Sequence, residues 1–243
     1  MFPIRDTVPR RETPIAVWAI IALNVVVFLI EVALPQRTLM WVFYHFGLVP
    51  ARYSSPHFSV WFGPAADSIW PFFTNMFLHG GLFHLVSNMW ALWIFGGAVE
   101  DRLGHGRFVA FYLLCGIAAS LTHFFTNLGS TVPAIGASGA IAGVMGAYFL
   151  MFPTAEVITL VPLFFLPVFV AIPAVFYLGI WFLTQFFSGL AALVAPQFGG
   201  GIAWWAHIGG FVAGLALGPL FRKRRGAYRG YFPDEPLLRA LRG

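Results

Sequence analysis

Apolar residues fill this chain in long stretches broken by short polar or proline-rich segments. Read by hydropathy and length, the pattern predicts six helical spans, at about 14–34, 82–99, 107–125, 137–152, 168–194 and 203–221. Pro14 suits a first helical turn, and Pro153 suits a stop after the fourth span. The fifth span is the least regular, because Pro162, Pro167 and Pro173 crowd its start. The fold class expected is an all-α membrane protein, a six-helix bundle. Residues 1–13 form an N-terminal segment, 14–221 the membrane domain, and 222–243 an Arg-rich tail too short to fold alone. The connection from Pro35 to Pro71 is dense in aromatics such as Trp41, Tyr44, Trp61 and Trp70, mixed with Gly, Pro and His. It is expected to lie partly in the outer leaflet as a membrane-embedded loop between helices 1 and 2, with a small extracytoplasmic cap as the alternative.

Composition narrows the class. Hydrophobic residues make up 59% of the 243 and charged residues 9%, where a soluble domain carries about 25% charged residues. Between Phe108 and Phe221 the only charged side chain is Glu156. A globule with so little charge has no means of covering its surface in water. The net charge of +5 does not point to nucleic acid, because the basic residues gather at the chain ends. Arg5, Arg10 and Arg11 precede the first span, Arg102 and Arg107 lie between spans two and three, and seven basic residues follow span six. With six spans, positive charge puts both termini in the cytoplasm; seven spans would export one basic cluster. The single cysteine, Cys115, allows no intrachain disulfide. No cleaved signal peptide is expected from the opening residues.

Spans two, four and six then run from outside to inside, and each carries polar side chains in its first turns. These are His84 and Asn88, Ser138, and His207. Polar residues in apolar spans are costly, and they face a cavity or one another. Span four is about 16 residues, roughly 24 Å, shorter than a hydrocarbon core of about 30 Å, so its start lies below the surface. Backbone N–H groups there lack intrahelical partners and are free for an oxyanion. A serine nucleophile with a histidine base fits this placement. Taken alone, Ser138 reads more readily as an N-cap. Gly136, Gly139, Gly143, Gly210 and Gly214 are expected to let helices approach closely, which brings His207 towards Ser138. His84 and Asn88, at i and i+4, share a face and both donate hydrogen bonds. A metal site of His79, His84 and His207 is the competing reading, disfavoured by the absence of a nearby carboxylate or thiolate. His123 is expected to bond locally, and Glu31 to reach the outer interface.

At these residues the chain resembles the rhomboid family of intramembrane serine proteases, over most of 70–218. The resemblance rests on His79-x4-His84-x3-Asn88, on Gly136-Ala137-Ser138-Gly139-Ala140-Ile141-Ala142-Gly143, on Ala206-His207-Ile208-Gly209-Gly210-x3-Gly214, and on the Gly97 to Gly104 segment ending span two. It implies a rhomboid-like bundle and a Ser138–His207 dyad without aspartate. It implies an oxyanion hole from His84, Asn88 and the Ser138 backbone N–H. It also implies substrates that are single-pass membrane proteins cut in or near their transmembrane segments; no cofactor or metal is expected. The location expected is the plasma (inner) membrane of a prokaryote. The chain departs from the family pattern at Trp70-Pro71, where Trp-Arg is common, and at Ala142, where some members place an aromatic under the histidine. His207 then needs another packing partner, Trp204 or a residue on span two.

Substrate must reach Ser138 sideways from lipid. Span five is the expected gate, with Phe186 and Phe187 sealing an opening against span two and the loop Pro196 to Gly201 free to bend. Two other classes remain: a catalytically silent relative that binds transmembrane clients, and a channel or transporter using histidines as a proton path. The partners expected are transmembrane substrates and the lipid bilayer, not nucleic acid. The oligomeric state is not encoded in any pattern visible here.

Overall fold

The structure, a computed structural model, describes residues 2–163, 166–194 and 202–223. The basic tail beyond 223 and the glycine-rich loop 196–201 lie outside the described residues. Strand β1 (Phe2–Asp6) leads into helix α1 (Ile15–Ala33). The long connection folds into α2 (Gln36–Phe46), α3 (Ala51–Ser54), α4 (Pro56–Ser59) and α5 (Pro71–Thr74). Helices α6 (Leu82–Leu103), α7 (His105–Thr126) and α8 (Ser138–Met151) follow. A hairpin of β2 (Glu156–Leu163) and β3 (Leu166–Pro173) precedes α9 (Ala174–Val194) and α10 (Trp204–Phe221).

Five helices, α1, α6, α7, α9 and α10, are long and apolar enough to cross a membrane, and α8 is a shorter apolar helix. These six match the predicted spans, with one correction of substance. Residues 168–173, expected as the start of span five, belong to β3, and the helix begins only at Ala174. The reason is the neighbouring strand. Val168, Val170 and Ile172 are β-branched and favour extended chain, and they pair with Val161, Thr159 and Val157 of β2. β1 pairs antiparallel with β2, giving the sheet order β1-β2-β3. The bundle is therefore helical with a small sheet at one end.

That end is tied together by polar contacts. The N-cap of α1, Pro14, makes no side-chain cap. The Glu100 carboxylate of α6 serves instead, accepting from the N–H groups of Ala16 and Val17 at 2.8 Å each. Asp101 accepts from the backbone of Arg11 and Glu12 at 3.3 and 3.0 Å. Carboxylates at a helix start satisfy its orphan donors and its dipole. The Gly97 to Gly104 segment thus fastens span two to the start of span one, and Gly104 turns the chain into α7 at φ +85°. Lys223, after α10, reaches Glu12 at 2.9 Å and donates its N–H to the Arg102 carbonyl at 3.0 Å.

The opposite end holds the long connection. Leu48 and Ala134 bond to each other through their backbones, and the Gly136 N–H bonds to the Asn75 carbonyl at 2.9 Å. The connection closes on Arg52, which is 2% exposed. Its guanidinium donates to the carbonyls of His45 and Ala66 at 3.1 Å each, and to that of Ala65, with its charge 4.6 Å from the Phe62 ring centre. Pro71 is buried at the start of α5; Arg52 provides the polar anchor that Trp70-Pro71 lacks. Glu31 does not reach an interface. It is buried, and both carboxylate oxygens lie 3.3 Å from the His79 N–H.

Helix α8 is the buried centre of the bundle, with its residues from Gly139 to Tyr148 all enclosed. A β-carbon at Gly210 would strike the Gly139 carbonyl, and one at Gly214 would strike the Gly143 carbonyl. α8 and α10 therefore cross backbone against backbone, as small residues allow in membrane helices.

Candidate active site

Ser138 is the first residue of α8, and Ala137, not Ser138, is the N-cap. The serine hydroxyl is thus not spent on capping. Its Oγ lies 2.8 Å from His207 Nε2. The glycine crossing of α8 on α10 makes this approach, since His207 stands one turn before Gly210 on the same helix. A bond of this length suits a hydroxyl donating to an unprotonated imidazole nitrogen.

The other imidazole nitrogen, Nδ1, lies 2.8 Å from Gln185 Oε1 on α9. Both ring nitrogens of His207 are engaged by protein groups, which leaves neither facing a metal in this arrangement. The packing partner that Ala142 does not supply comes from two tryptophans. The Trp181 ring of α9 lies 6.0 Å from the imidazole at 31°, and Trp204 meets it edge-on at 6.4 Å. Trp204 was one of the expected partners; Trp181 comes from span five rather than span two.

Gly136 takes φ +127°, a conformation that L side chains rarely adopt. A β-carbon there would sit 2.7 Å from the His84 ring and 3.6 Å from Asn88 Nδ2. Gly136 therefore lets the loop approach α6 instead of joining a helix seam. Asn88 is 6% exposed, and its Nδ2 is buried without a hydrogen-bond partner among the described residues. A buried donor left unpaired costs about 1–3 kcal/mol, which a ligand oxygen beside Gly136 would relieve. The structure brings Ser138, His207, Gly136, His84 and Asn88 into one neighbourhood. Ser138 and Gly136 also line a small cavity with Asn75, Ser120 and His123.

Gly139 lies against Ala119 of α7 as well as α10, and Gly143 lies against Cys115. His79, just ahead of α6, packs edge-on against His84 with ring centres 5.2 Å apart, and burial pushes its pKa down to about 4. His123 receives a contact from Asn127 one turn on. Phe186 and Phe187 sit on an outer flank of α9, where their rings contact each other at 5.8 Å. No aromatic of α6 meets either ring among the described residues. Gln185 was missed from sequence. The available signal was an amide within an otherwise apolar, aromatic span.

Apolar helices crossing at glycines, with a serine and a histidine meeting at the starts of two of them, define a polytopic membrane protein. A model of the Rhomboid domain matches residues 66–224, and the chain belongs to the rhomboid family. It is 31% identical to the mitochondrial presenilin-associated rhomboid-like protein of Mus musculus over 153 residues, 60% of this chain and 36% of that one. It is 33% identical to the mitochondrial Rhomboid protein 1 of Saccharomyces cerevisiae over 150 residues, 59% of this chain and 39% of that one. It is 46% identical to the Rhomboid protease GluP of Bacillus subtilis over 78 residues, 32% of this chain and 15% of that one. The matches thus span well under half the length of these relatives. The family and the apolar helices make this a multi-pass membrane protein.

Proposed function

We propose that the chain is an intramembrane serine endopeptidase that hydrolyses peptide bonds in or near the transmembrane segments of membrane-protein substrates. One observation carries this reading: Ser138 Oγ stands 2.8 Å from His207 Nε2 at the start of the central helix. Oγ attacks the scissile carbonyl carbon while Nε2 takes its proton. Negative charge collects on the carbonyl oxygen, where the Ser138 N–H, His84 and Asn88 donate. Collapse expels the amine, protonated from Nε2, and water then releases the acyl group by the same exchange. Both termini are taken as cytoplasmic, with the site in the outer half of the bilayer. The relatives named above leave open which membrane houses the protein.

A serine-directed fluorophosphonate probe tests this. Wild-type protein in proteoliposomes should label, Ser138→Ala should not, and cleavage of a co-reconstituted single-pass substrate should follow labelling. A wild-type protein that neither labels nor cleaves would favour the catalytically silent reading.

A further inference from the structure

We propose that Gln185 is a positioning residue that fixes the tautomer of His207. The inference rests on the dyad reading above and deepens it. A neutral imidazole carries one N–H, on either nitrogen, and only the form protonated at Nδ1 presents a lone pair at Nε2 to a serine hydroxyl. In a two-residue dyad nothing selects that form. Here a third side chain does.

The selection follows from what Gln185 itself contacts. Its Nε2 lies 3.3 Å from the Trp181 carbonyl oxygen and 3.1 Å from Thr184 Oγ1. A backbone carbonyl only accepts, so the amide nitrogen must face it, and Oε1 is turned to the imidazole. Thr184 Oγ1 donates to the same Trp181 carbonyl at 2.6 Å, which leaves its lone pairs for the Gln185 amide. The donor–acceptor sense therefore runs in one direction. Gln185 Oε1 accepts from His207 Nδ1–H at 2.8 Å, and His207 Nε2 accepts from Ser138 Oγ–H at 2.8 Å. Gln185 is 7% exposed, so water does not compete freely for Nδ1. Trp181 and Gln185, four residues apart, share a face of α9, so one element supplies both the ring packing and the acceptor. The acceptor is neutral, which suits a site in lipid, where a buried aspartate would carry a large desolvation penalty.

The test compares Gln185→Met, of similar length without an acceptor, with Gln185→Glu, which retains one. With the transmembrane substrate, Gln185→Met should lower kcat about 10- to 100-fold with KM unchanged, less than the roughly 100- to 10,000-fold that general-base assistance contributes in full, because the base itself remains. Gln185→Glu, whose buried carboxyl stays neutral and donates its O–H to the Trp181 carbonyl while its other oxygen accepts from Nδ1–H, should stay within about threefold of wild type on the same scale. The decisive readout is the pair of ¹⁵N resonances of His207 in ¹⁵N-histidine-labelled protein, assigned by their loss in His207→Ala. Wild type and Gln185→Glu should show a protonated Nδ1 and an unprotonated Nε2, and Gln185→Met a mixture. An unchanged tautomer in Gln185→Met overturns the proposal, whatever happens to kcat. So does equal loss of kcat in both variants with one tautomer throughout, the mark of a packing role. If wild type neither labels nor cleaves, the endopeptidase reading fails, while the resonances still decide the tautomer question in the folded protein.

Discussion

Two regions hold the candidate site, and they are built differently. The contact of α8 with α10 is a seam of glycines in which backbone meets backbone, and a single added β-carbon has nowhere to go. Helix α9 packs through large rings instead. Trp181 and Phe182 reach Phe211, while Phe176, Leu183 and Phe187 stay exposed on its other side. The seam sets the distance between nucleophile and base. The ringed helix sets the surroundings of the base. A rigid seam suits atoms that must keep one geometry, and a helix held by side chains suits a wall that yields, as α9 would if it is the gate.

The largest expected effect attacks the chemistry on the seam. Ser138→Ala and His207→Ala should each remove cleavage by about 10⁴-fold or more, and the double variant should be no worse than either, since the two act as a unit. Initial rates on one substrate check this, and a fully active Ser138→Ala would end the dyad reading.

Next comes the seam itself. Gly214→Val drives a side chain into the Gly143 carbonyl. It should lose about 3 kcal/mol of stability, the upper part of the range for overpacked contacts. Thermal unfolding in detergent measures it. A variant melting with wild type would show that the seam is softer than its geometry implies.

Asn88→Ala separates catalysis from stability. Losing one oxyanion donor costs about 2.7–4 kcal/mol of barrier, roughly 100- to 1,000-fold in kcat. Stability should not fall, because Asn88 Nδ2 has no hydrogen-bond partner to lose among the described residues and its removal relieves a buried unpaired donor, offsetting the lost packing. Parallel kcat and melting measurements would expose the opposite pattern, which would make Asn88 structural.

The smallest effect lies on α9. Phe187 is 63% exposed, so Phe187→Ala should cost under about 1 kcal/mol. As a gate residue it should raise cleavage of a transmembrane substrate by about twofold to fivefold, without changing hydrolysis of a small ester. Equal acceleration of both substrates would point away from a gate.

The spans were legible in sequence because the signal is local: run length and apolarity within one segment. The meeting of Ser138 with His207 was legible because both interrupt such runs at their starts and lie in motifs that resemble those of one family. What escaped depends on partners outside the segment itself. β1 meets β2 across some 150 residues, and β3, exposed along nearly its whole length, is apolar on both sides, so it lacks the alternation that marks a strand. Glu31 and Glu100 answer backbone N–H groups, which no side-chain pattern reveals. Gln185 looked like one amide among aromatics until the turn of α9 brought it to His207.

The pairing of β1 with β2 also orders the making of the protein. Residues 2–6 leave the ribosome about 150 residues ahead of their partner strand, a lead of roughly 10–30 s at common rates of synthesis. Helices α1, α6, α7 and α8 lie between the two strands; if each crosses the membrane, their even number returns β2 to the side where β1 waits. On that topology the sheet closes late, as a latch on a bundle whose first four helices precede it.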